Sequence, residues 1–423
     1  MKTTAVRLYG KEDLRLETFE LPEIKEDEIL ARIISDSLCM SSFKATEQGA
    51  AHKRVPEDVA EKPIIIGHEF CGEIIQVGSK WANQFKAGMR FSIQPALNHN
   101  GSLAAPGYSY QYIGGDATYI VIPSEVMEEN CLLPYNGEAF FFGSLAEPMS
   151  CIVGTFHAMY HTKNGSYVHE MGIVKGGRMA ILAGVGPMGL GAIDYALHGP
   201  VRPSLLVVTD IDDARLTRAE SIYKPEDAAK DGIKLVYLNT GKGDAVAELM
   251  ALTDGKGYDD VLCMAPVRPV VEQADAILGR DGALNFFAGP LDPKFSAMFN
   301  FYNVHYSSTH VVGTSGGNTD DMKESLELMG NGIINPAAMI THVGGLNAVV
   351  EATKNLPNIK GGKKLIYTNV EMELTAIADF AEKGKTDPFF AELAELTAKH
   401  NNLWNLEAEK ALLKHFNVTV TEK

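Results

Sequence analysis

The stretch RMAILAGVGPMGLGAIDYALHG, from Arg178 to Gly199, decides the fold class of this chain. An apolar run is followed by glycines in the pattern Gly-x-Gly-x-x-Gly and then by residues with helical spacing. Glycines in such a loop allow a tight turn and the close approach of the backbone to a pyrophosphate, which the N-terminus of the following helix binds. The stretch therefore predicts a strand, a dinucleotide-binding loop and a helix.

The predicted nucleotide site consists of this loop and one acidic residue beyond it. A second apolar run, SLLVVTD, ends in Asp210, about 20 residues after the last loop glycine, where a ribose hydroxyl is bound in this kind of fold. The acids that follow it favour NAD over NADP, although Arg215 keeps NADP as an alternative. A glycine turn in some other α/β sheet, with Asp210 as a helix cap, is the other interpretation. The residues assigned to the cofactor are Gly184, Gly186, Pro187, Met188, Gly189 and Asp210.

The character of the chain changes on either side of the glycine loop. Before it, short alternating runs such as EFCGEIIQVG predict strands, and after it apolar strands alternate with helical runs, as in a doubly wound parallel sheet. The end of the chain reads as helical, with Asp387 and Pro388 as the cap and first turn of a helix. We expect an α/β protein with three parts: a β-rich domain at 1–155 and 320–369, a Rossmann domain at 156–319, and a helical extension at 370–423.

Composition narrows the class of function. The 423 residues carry a formal net charge of −16, which argues against nucleic acid and anionic membrane surfaces as partners. The N-terminus lacks the apolar core of a signal peptide, and the most apolar stretch is interrupted by glycines, a proline and an aspartate. The five cysteines are odd in number and widely spread. We therefore expect a cytoplasmic protein without a disulfide framework.

Three places ahead of the glycine loop offer metal ligands. They are Cys39 in SDSLCMSS, His68 and Glu69 in PIIIGHEFCG, and Glu147 in SLAEPMSC. Zinc accepts thiolate, imidazole and carboxylate ligands, and a catalytic site keeps one position open. Taken singly, the cysteine reads as a buried core residue, the histidine as a core histidine and Glu147 as an acid at a helix start. Their order before a dinucleotide fold favours a catalytic metal site.

These elements resemble the zinc-dependent medium-chain dehydrogenases, over about residues 1–369. Cys39 with Ser41, Gly67-His68-Glu69 and Glu147-Pro148 match the family motifs in order, and the Glu-Pro form resembles the polyol dehydrogenase branch. The resemblance implies a GroES-like catalytic domain and hydride transfer between NAD(P)H and a ketose or polyol phosphate. It also implies one catalytic zinc, Ser41 as proton relay, and Glu69 as either a ligand or the partner of one. Homo-oligomers, dimers or tetramers, are implied as well.

The chain departs from the family pattern in two places. Where the family has Cys-Gly-x-Asp, this chain has Cys39-Met40-Ser41-Ser42, so that Ser42 replaces the aspartate that orients the zinc-binding histidine. Loss of such a partner typically costs about 10–100-fold in metal affinity or activity. The region that holds a four-cysteine zinc lobe in the family, QPALNHNGSLAAPGYSYQYIGG, contains no cysteine. We therefore expect no structural zinc.

The substrate class is left open by the residues themselves. A sugar phosphate needs an anion site, for which His52-Lys53-Arg54 and the segment HVVGTSGGNTDDMK, from His310, are the candidates. An unphosphorylated polyol or secondary alcohol is the alternative substrate. A zinc-free reductase and a non-catalytic nucleotide-binding protein are the alternatives that keep the fold.

Overall fold

The computed structural model describes residues 1–163 and 166–421. Its strands are β1 (Lys2–Gly10), β2 (Asp13–Glu20), β3 (Ile29–Leu38), β4 (Ile64–Ile65), β5 (Phe70–Val77), β6 (Arg90–Ile93), β7 (Tyr119–Ile122), β8 (Leu132–Pro134), β9 (Tyr160–Thr162), β10 (His169–Met171), β11 (Arg178–Leu182), β12 (Leu205–Asp210), β13 (Lys234–Asn239), β14 (Tyr258–Cys263), β15 (Leu278–Phe286), β16 (His310–Gly313), β17 (Ile340–Gly345), β18 (Lys363–Tyr367) and β19 (Thr375–Ala376). Its α-helices are α1 (Met40–Gln48), α2 (Ser124–Glu128), α3 (Phe140–Ser144), α4 (Ala146–Ala158), α5 (Pro187–His198), α6 (Asp213–Ile222), α7 (Pro225–Lys230), α8 (Ala245–Ala251), α9 (Arg268–Ala276), α10 (Phe301–Tyr306), α11 (Thr319–Gly330), α12 (Val349–Lys354), α13 (Phe380–Lys383), α14 (Pro388–Ala398) and α15 (Leu406–His415).

One compact unit, which we call the parallel-sheet unit, consists of Met149–Gly317 and Gly332–Met339. Six strands lie in the order β13-β12-β11-β14-β15-β16, and every neighbouring pair is parallel. The first strand of the set lies at the centre and the chain winds outward in both directions, as in a doubly wound sheet. All six residues of β12 are buried, as expected of a strand covered on both faces. The predicted Rossmann sheet is confirmed.

The other compact unit, the β-rich unit, consists of Met1–Pro148, Asn318–Asn331 and the chain from Ile340 onward. Its main sheet runs β19-β17-β18-β3-β5-β6-β8, with β7 paired to β3, and a second sheet runs β2-β1-β4. Strand β3 is almost wholly buried, because it pairs with three strands and its alternating side chains enter two apolar clusters. The residue that follows this rigid strand is Cys39.

The C-terminal residues belong to the β-rich unit. Helix α14 begins as predicted: the side chain of Asp387 accepts a hydrogen bond from Phe389 N at 2.9 Å, and Pro388 occupies the first turn. Trp404 is buried, and its indole N–H donates to the Tyr367 hydroxyl at 2.8 Å. The tail is therefore anchored to the main sheet through Tyr367, the last residue of β18.

Two further expectations concern disulfides and membranes. All five cysteines are free thiols. Within the described residues, we find no helix that combines the length and the apolar character needed to cross a lipid bilayer. The first finding agrees with the expected lack of a disulfide framework.

Candidate metal and nucleotide sites

Cys39 stands at the junction of β3 and α1. It occupies the N-cap position in extended conformation, but its thiol makes no capping hydrogen bond. Its carbonyl accepts the first helical bonds, from the N–H groups of Ser42 and Phe43. The Cys39 Sγ lies 2.9 Å from Ser41 Oγ, one step along the first turn. The helix start thus holds the thiol and the hydroxyl side by side.

His68 and Glu69 follow a sharp bend between β4 and β5. The bend depends on Gly67, which has a φ of 89°, and a Cβ there would lie 2.7 Å from Asp116 N. No other residue type fits this position without displacing the backbone. One ligand atom each of Cys39, His68 and Glu69 lies within 4.8 Å of the other two. Thiol, imidazole and carboxylate at this spacing match the donor set that zinc prefers.

The two ring nitrogens of His68 have different partners. Ser42 Oγ lies 3.3 Å from Nδ1. Ser42 is the residue that we expected to replace the family aspartate. Ser41 Oγ and the Tyr108 hydroxyl lie 3.3 Å and 3.2 Å from Nε2. The imidazole is therefore oriented from one side by a neutral hydroxyl, and its other nitrogen faces two hydroxyl groups and the thiol.

Burial sets the charge state of this site. It raises the pKa of the Cys39 thiol to about 12, with a further rise from the neighbouring Glu69 carboxylate. It also lowers the pKa of His68. A neutral thiol and a neutral imidazole are the result at pH 7. A divalent cation would reverse this for the cysteine, because a coordinating thiol is deprotonated.

Glu69 has partners that the sequence did not predict. Its carboxylate accepts from the Lys363 ammonium through both oxygens and from the Ser37 hydroxyl, and all three side chains are buried. Burial alone would raise the pKa of Glu69, but Lys363 and His68 hold it below the usual value. Lys363 is the first residue of β18, in the stretch GGKKLIY, and nothing in that stretch indicates a role in this site.

Glu147 lies in the first turn of α4 and outside the 4.8 Å cluster. Burial raises the pKa of its carboxyl group, His68 lowers it and Glu69 raises it. These interactions place Glu147 in the same electrostatic environment as the cluster. Tyr108, which contacts His68, was also missed by sequence reasoning, because its stretch, APGYSYQY, follows no metal-site or relay pattern.

The glycine loop lies in the parallel-sheet unit, between β11 and α5. A Cβ on Gly189 would lie 2.1 Å from the carbonyl oxygen of Gly184, so the close approach of the helix to the loop requires glycine there. Gly186 is the N-cap of α5 and Pro187 is its first residue, followed by Met188. The N–H groups of this first turn have no partner inside the helix, which is the arrangement that binds a pyrophosphate.

Asp210 ends β12 with its side chain buried. Its Oδ1 accepts from the N–H groups of Ile211 and Asp212, at 2.9 Å and 3.1 Å. The cap of α6 is Asp212 instead, which accepts from Ala214 and Arg215. The alternative interpretation of Asp210 as the helix cap is therefore wrong. Arg215 lies beside the loop, with Nη2 3.5 Å from the position of a Cβ on Gly186.

Comparison with known proteins identifies the family of this chain. Residues 25–131 match the alcohol dehydrogenase GroES-like domain, and residues 187–331 match the zinc-binding dehydrogenase family. The chain is 54% identical over 421 residues to the mannitol-1-phosphate 5-dehydrogenase of Aliivibrio fischeri, covering 99% of each chain. It is 51% identical over 413 residues to the L-sorbose 1-phosphate reductase of Klebsiella pneumoniae, covering 98% of each.

The chain belongs to the zinc-dependent medium-chain dehydrogenase family. As a member, it is an oxidoreductase of the alcohol and polyol dehydrogenase type, with zinc and a nicotinamide cofactor. The fold agrees: the 2R,3R-butanediol dehydrogenase of Bacillus subtilis superposes with a TM-score of 0.68 at 21% identity, covering 86% of this chain and 99% of that one. The predicted family, fold class and enzyme class are confirmed.

Proposed function

We propose that this dehydrogenase transfers a hydride between a nicotinamide cofactor and a ketose or polyol phosphate, and that it reduces L-sorbose 1-phosphate to D-glucitol 6-phosphate. The observation that carries the proposal is the 51% identity to L-sorbose 1-phosphate reductase over 98% of both chains. A match of that extent covers both compact units and most of the C-terminal tail. Unphosphorylated polyols and secondary alcohols are the competing substrates.

The second candidate is mannitol 1-phosphate, favoured by the 54% identity to mannitol-1-phosphate 5-dehydrogenase. The two substrates differ in where the phosphate sits. In L-sorbose 1-phosphate the reacting C2 is adjacent to the carbon that bears the phosphate, whereas C5 of mannitol 1-phosphate is four carbons away from it. Comparing turnover of the two substrates therefore tests whether the anion site lies near the reaction centre or farther from it.

One zinc ion is proposed at the cluster in the β-rich unit, held by Cys39, His68 and Glu147. Glu69 belongs to the closest cluster, but both of its oxygens already bind the Lys363 ammonium. Direct ligation by Glu69 would bring a second cation onto the same carboxylate. We therefore assign Glu69 to the support of the site and Glu147 to the zinc. No second, structural zinc is proposed, because the 94–115 stretch lacks cysteines.

The protein residues handle the proton. Zinc at this site would act as a Lewis acid toward the substrate oxygen. A nicotinamide cofactor held at the glycine loop would supply the hydride in reduction, and the substrate oxygen would then need a proton. Ser41 is the proposed donor of that proton, since its Oγ lies among Cys39 Sγ, His68 Nε2 and the Tyr108 hydroxyl. Tyr108 continues the hydrogen-bond path from Ser41.

NAD is the proposed cofactor in preference to NADP. Its site consists of Gly184, Gly186, Pro187, Met188 and Gly189, with Asp210 at the end of β12. The Asp210 carboxylate is fixed through one oxygen by two backbone N–H groups, which leaves the other to accept from a ribose hydroxyl. A 2′-phosphate would meet that carboxylate at close range and be repelled.

A homo-oligomer is proposed as the working form. Within the described residues, strand β16 is an edge of the parallel sheet and pairs with β15 alone. Large apolar side chains near it in sequence are exposed to solvent: Leu291, Met298, Phe301, Tyr302, Tyr306 and Val311. Exposed apolar side chains and a free strand edge are both typical of an interface with a second copy. Mass measured by light scattering would test this, with a monomer at micromolar concentration as the contradicting result.

The proposed function is tested by NADH oxidation with L-sorbose 1-phosphate, D-fructose 6-phosphate and free L-sorbose, before and after chelation and zinc add-back. We expect turnover of a phosphorylated ketose, loss with chelator and recovery with zinc. Equal rates on phosphorylated and free sugar would remove the phosphate assignment. Full activity in protein with a measured zinc content near zero would remove the proposed zinc chemistry.

A further inference from the structure

A positively charged side chain lies at the rim of the Cys39–His68 site. The guanidinium carbon of Arg54 lies 5.2 Å from the ring centroid of Tyr108, and that ring lies 4.8 Å from the His68 ring. The Tyr108 ring therefore contacts both the Arg54 guanidinium and the His68 imidazole. The Tyr108 hydroxyl lies 3.2 Å from His68 Nε2, so Tyr108 contacts His68 through its hydroxyl and Arg54 through its ring.

The backbone around Arg54 is held in place. Its N–H donates to His52 Nδ1 at 3.3 Å, and its carbonyl accepts from the Ser109 hydroxyl at 2.7 Å. The His52 ring also stacks on Tyr108, with centroids 5.8 Å apart. The segment that carries Arg54 is therefore fixed against the segment that carries Tyr108, and both flank His68.

Arg54 lacks the partner that an arginine in an acidic protein usually has. Among the described residues, no carboxylate oxygen lies within ion-pair distance of its guanidinium, and its buried Nε makes no hydrogen bond. The chain has 54 acidic and 38 basic Lys and Arg residues, so acidic partners are abundant. A buried donor left without an acceptor is destabilising unless a ligand supplies one.

Further cations lie near His52, which is two residues before Arg54. Burial lowers the pKa of His52, and positive charges nearby lower it further. Those charges are Arg54, Lys53 and Lys44, and neither lysine has a recorded ion pair within the described part of the chain. Arg54 also acts on Glu147, where its charge lowers the pKa of the carboxyl group that is assigned to zinc in the proposed site. The result is a local excess of positive charge beside the reaction centre of an acidic protein.

We propose that Arg54 binds the phosphate group of the substrate. The proposal rests on the proposed function, because it assigns a residue to the anion of that substrate. A guanidinium binds a phosphate through two parallel N–H···O bonds, and the stack on Tyr108 fixes its plane. The charges of Lys44 and Lys53 attract the phosphate as well, without a fixed hydrogen-bond geometry. The position beside His68 fits a substrate whose phosphate is close to the reacting carbon, as in L-sorbose 1-phosphate.

The other anion site expected from the sequence, in the segment that begins at His310, is less suitable. The first N–H groups of α11 are already bound within the β-rich unit: Asp320 N and Asp321 N donate to the Asn318 side chain. The same turn carries two carboxylates, which repel a phosphate. The unpartnered donor of Arg54 therefore distinguishes the two candidates.

The test compares Arg54→Met and Arg54→Lys with wild type in NADH oxidation by the ketose phosphate. For Arg54→Met we expect a rise of about 100-fold in KM for the sugar phosphate, with the KM for NADH and the zinc content unchanged. Arg54→Lys, which keeps the charge but loses the paired bonds, should lie between the two. Inorganic phosphate should inhibit wild type competitively with the sugar phosphate and should lose this effect in Arg54→Met.

Lys62→Met is the matched control, since Lys62 lies on the same loop and its ammonium pairs with Asp58 on the surface at 2.7 Å. It should leave the KM for the sugar phosphate unchanged. If wild type turns over no phosphorylated ketose, the proposed function fails. If wild type does so, and Arg54→Met keeps its KM within about threefold and its inhibition by phosphate, the assignment of Arg54 alone is overturned. Should Arg54→Met not fold, Arg54→Lys and the phosphate inhibition of wild type decide.

Discussion

The Lys363 ammonium binds both carboxylate oxygens of Glu69, a residue 294 positions earlier in the chain. Lys363 opens β18, Glu69 precedes β5, and β3 lies between these two strands in the sheet. The pair is buried next to Cys39 and His68. Glu69 is therefore charged and fixed beside the proposed zinc, with its oxygens bound to the ammonium rather than available as ligands.

Removal of the ammonium should destabilise the β-rich unit strongly. In Lys363→Met the buried Glu69 carboxylate loses its counter-charge, which costs about 3–5 kcal/mol of unfolding free energy. Urea unfolding at pH 7 measures this. The control is Lys399→Met, whose pair with Glu395 on α14 is exposed to solvent and therefore contributes little to stability. Equal midpoints for the two variants would contradict the role of the buried pair, and adding Glu69→Gln to Lys363→Met should restore part of the loss.

The ligand assignment predicts different zinc contents for three variants. Cys39→Ala and Glu147→Gln should each lose bound zinc and activity together, because each removes a proposed donor atom. Glu69→Gln should retain zinc more firmly than Glu147→Gln. Metal content by mass spectrometry after dialysis measures this, with Cys131→Ala, a buried thiol in an apolar cluster, as the control. Full zinc in Glu147→Gln together with loss in Glu69→Gln would reverse the assignment.

Ser42 is predicted to tune the affinity for zinc. Its hydroxyl is the partner of His68 Nδ1, so Ser42→Ala should weaken zinc binding by about 10-fold or more. Competition with a chromogenic chelator gives the affinity. Thr46→Val is the matched control, because it removes a buried hydroxyl one turn further along α1 that donates to the Ser42 carbonyl. If both variants release zinc at the wild-type concentration of chelator, Ser42 does not orient the ligand.

A carboxylate from the tail holds the N-terminus of α3. Glu409 on α15 accepts from Phe140 N at 2.8 Å, from Phe141 N at 3.0 Å and from the Tyr367 hydroxyl at 2.8 Å. Helix α3 leads directly into α4, where Glu147 lies. The C-terminal extension thus fixes the segment that supplies a proposed zinc ligand.

Glu409 should make the docking of the tail depend on pH. Burial raises its pKa to about 7, although its three hydrogen-bond donors oppose the rise. An unfolded glutamate titrates near about 4.3. Between these values the folded state binds more protons than the unfolded state. The stabilising contribution is therefore complete below about pH 4.3 and is lost as pH rises through about 7, by roughly 4 kcal/mol.

Trp404 fluorescence in a Trp81→Phe background measures this effect, since the chain has only two tryptophans. The unfolding free energy of the tail should fall from pH 5 to pH 7.5 in the Trp81→Phe background protein. Glu409→Gln should flatten that dependence, and Glu395→Gln, on the exposed face of α14, should not. An unchanged slope in Glu409→Gln would show that other groups cause the pH effect.

Asp210 should determine the choice of cofactor. Asp210→Ser removes the carboxylate that faces the proposed ribose position and leaves Arg215 beside the loop, so the ratio of kcat/KM for NADPH to that for NADH should rise by about 100-fold. Steady-state kinetics with both cofactors measure the ratio. Asp227→Ser, at an exposed acid on α7, is the control. No change in Asp210→Ser would assign the preference to another residue.

The helix start at Asp387 and the strand, loop and helix around Gly184 could be predicted because each depends on neighbours in sequence. A cap needs a side chain two or three residues from the N–H groups it binds, and a glycine loop needs small residues at fixed spacing. The sequence also showed four possible metal donors in the expected order: Cys39, His68, Glu69 and Glu147. Their mutual distances could not be predicted, because no local pattern reports how strands from different parts of the chain pair.

The sequence by itself determined the fold class, the dinucleotide loop and the chemical nature of the metal donors, since these depend on short-range spacing and residue type. Only the tertiary structure decided that Lys363 neutralises Glu69, that Tyr108 and Arg54 flank His68, and that Glu409 holds α3. Each of those contacts joins residues distant in the chain across sheet pairings and packed loops. The physical reason is that a buried charge or donor costs free energy unless it is paired, and the partner is often supplied by a residue far away in sequence.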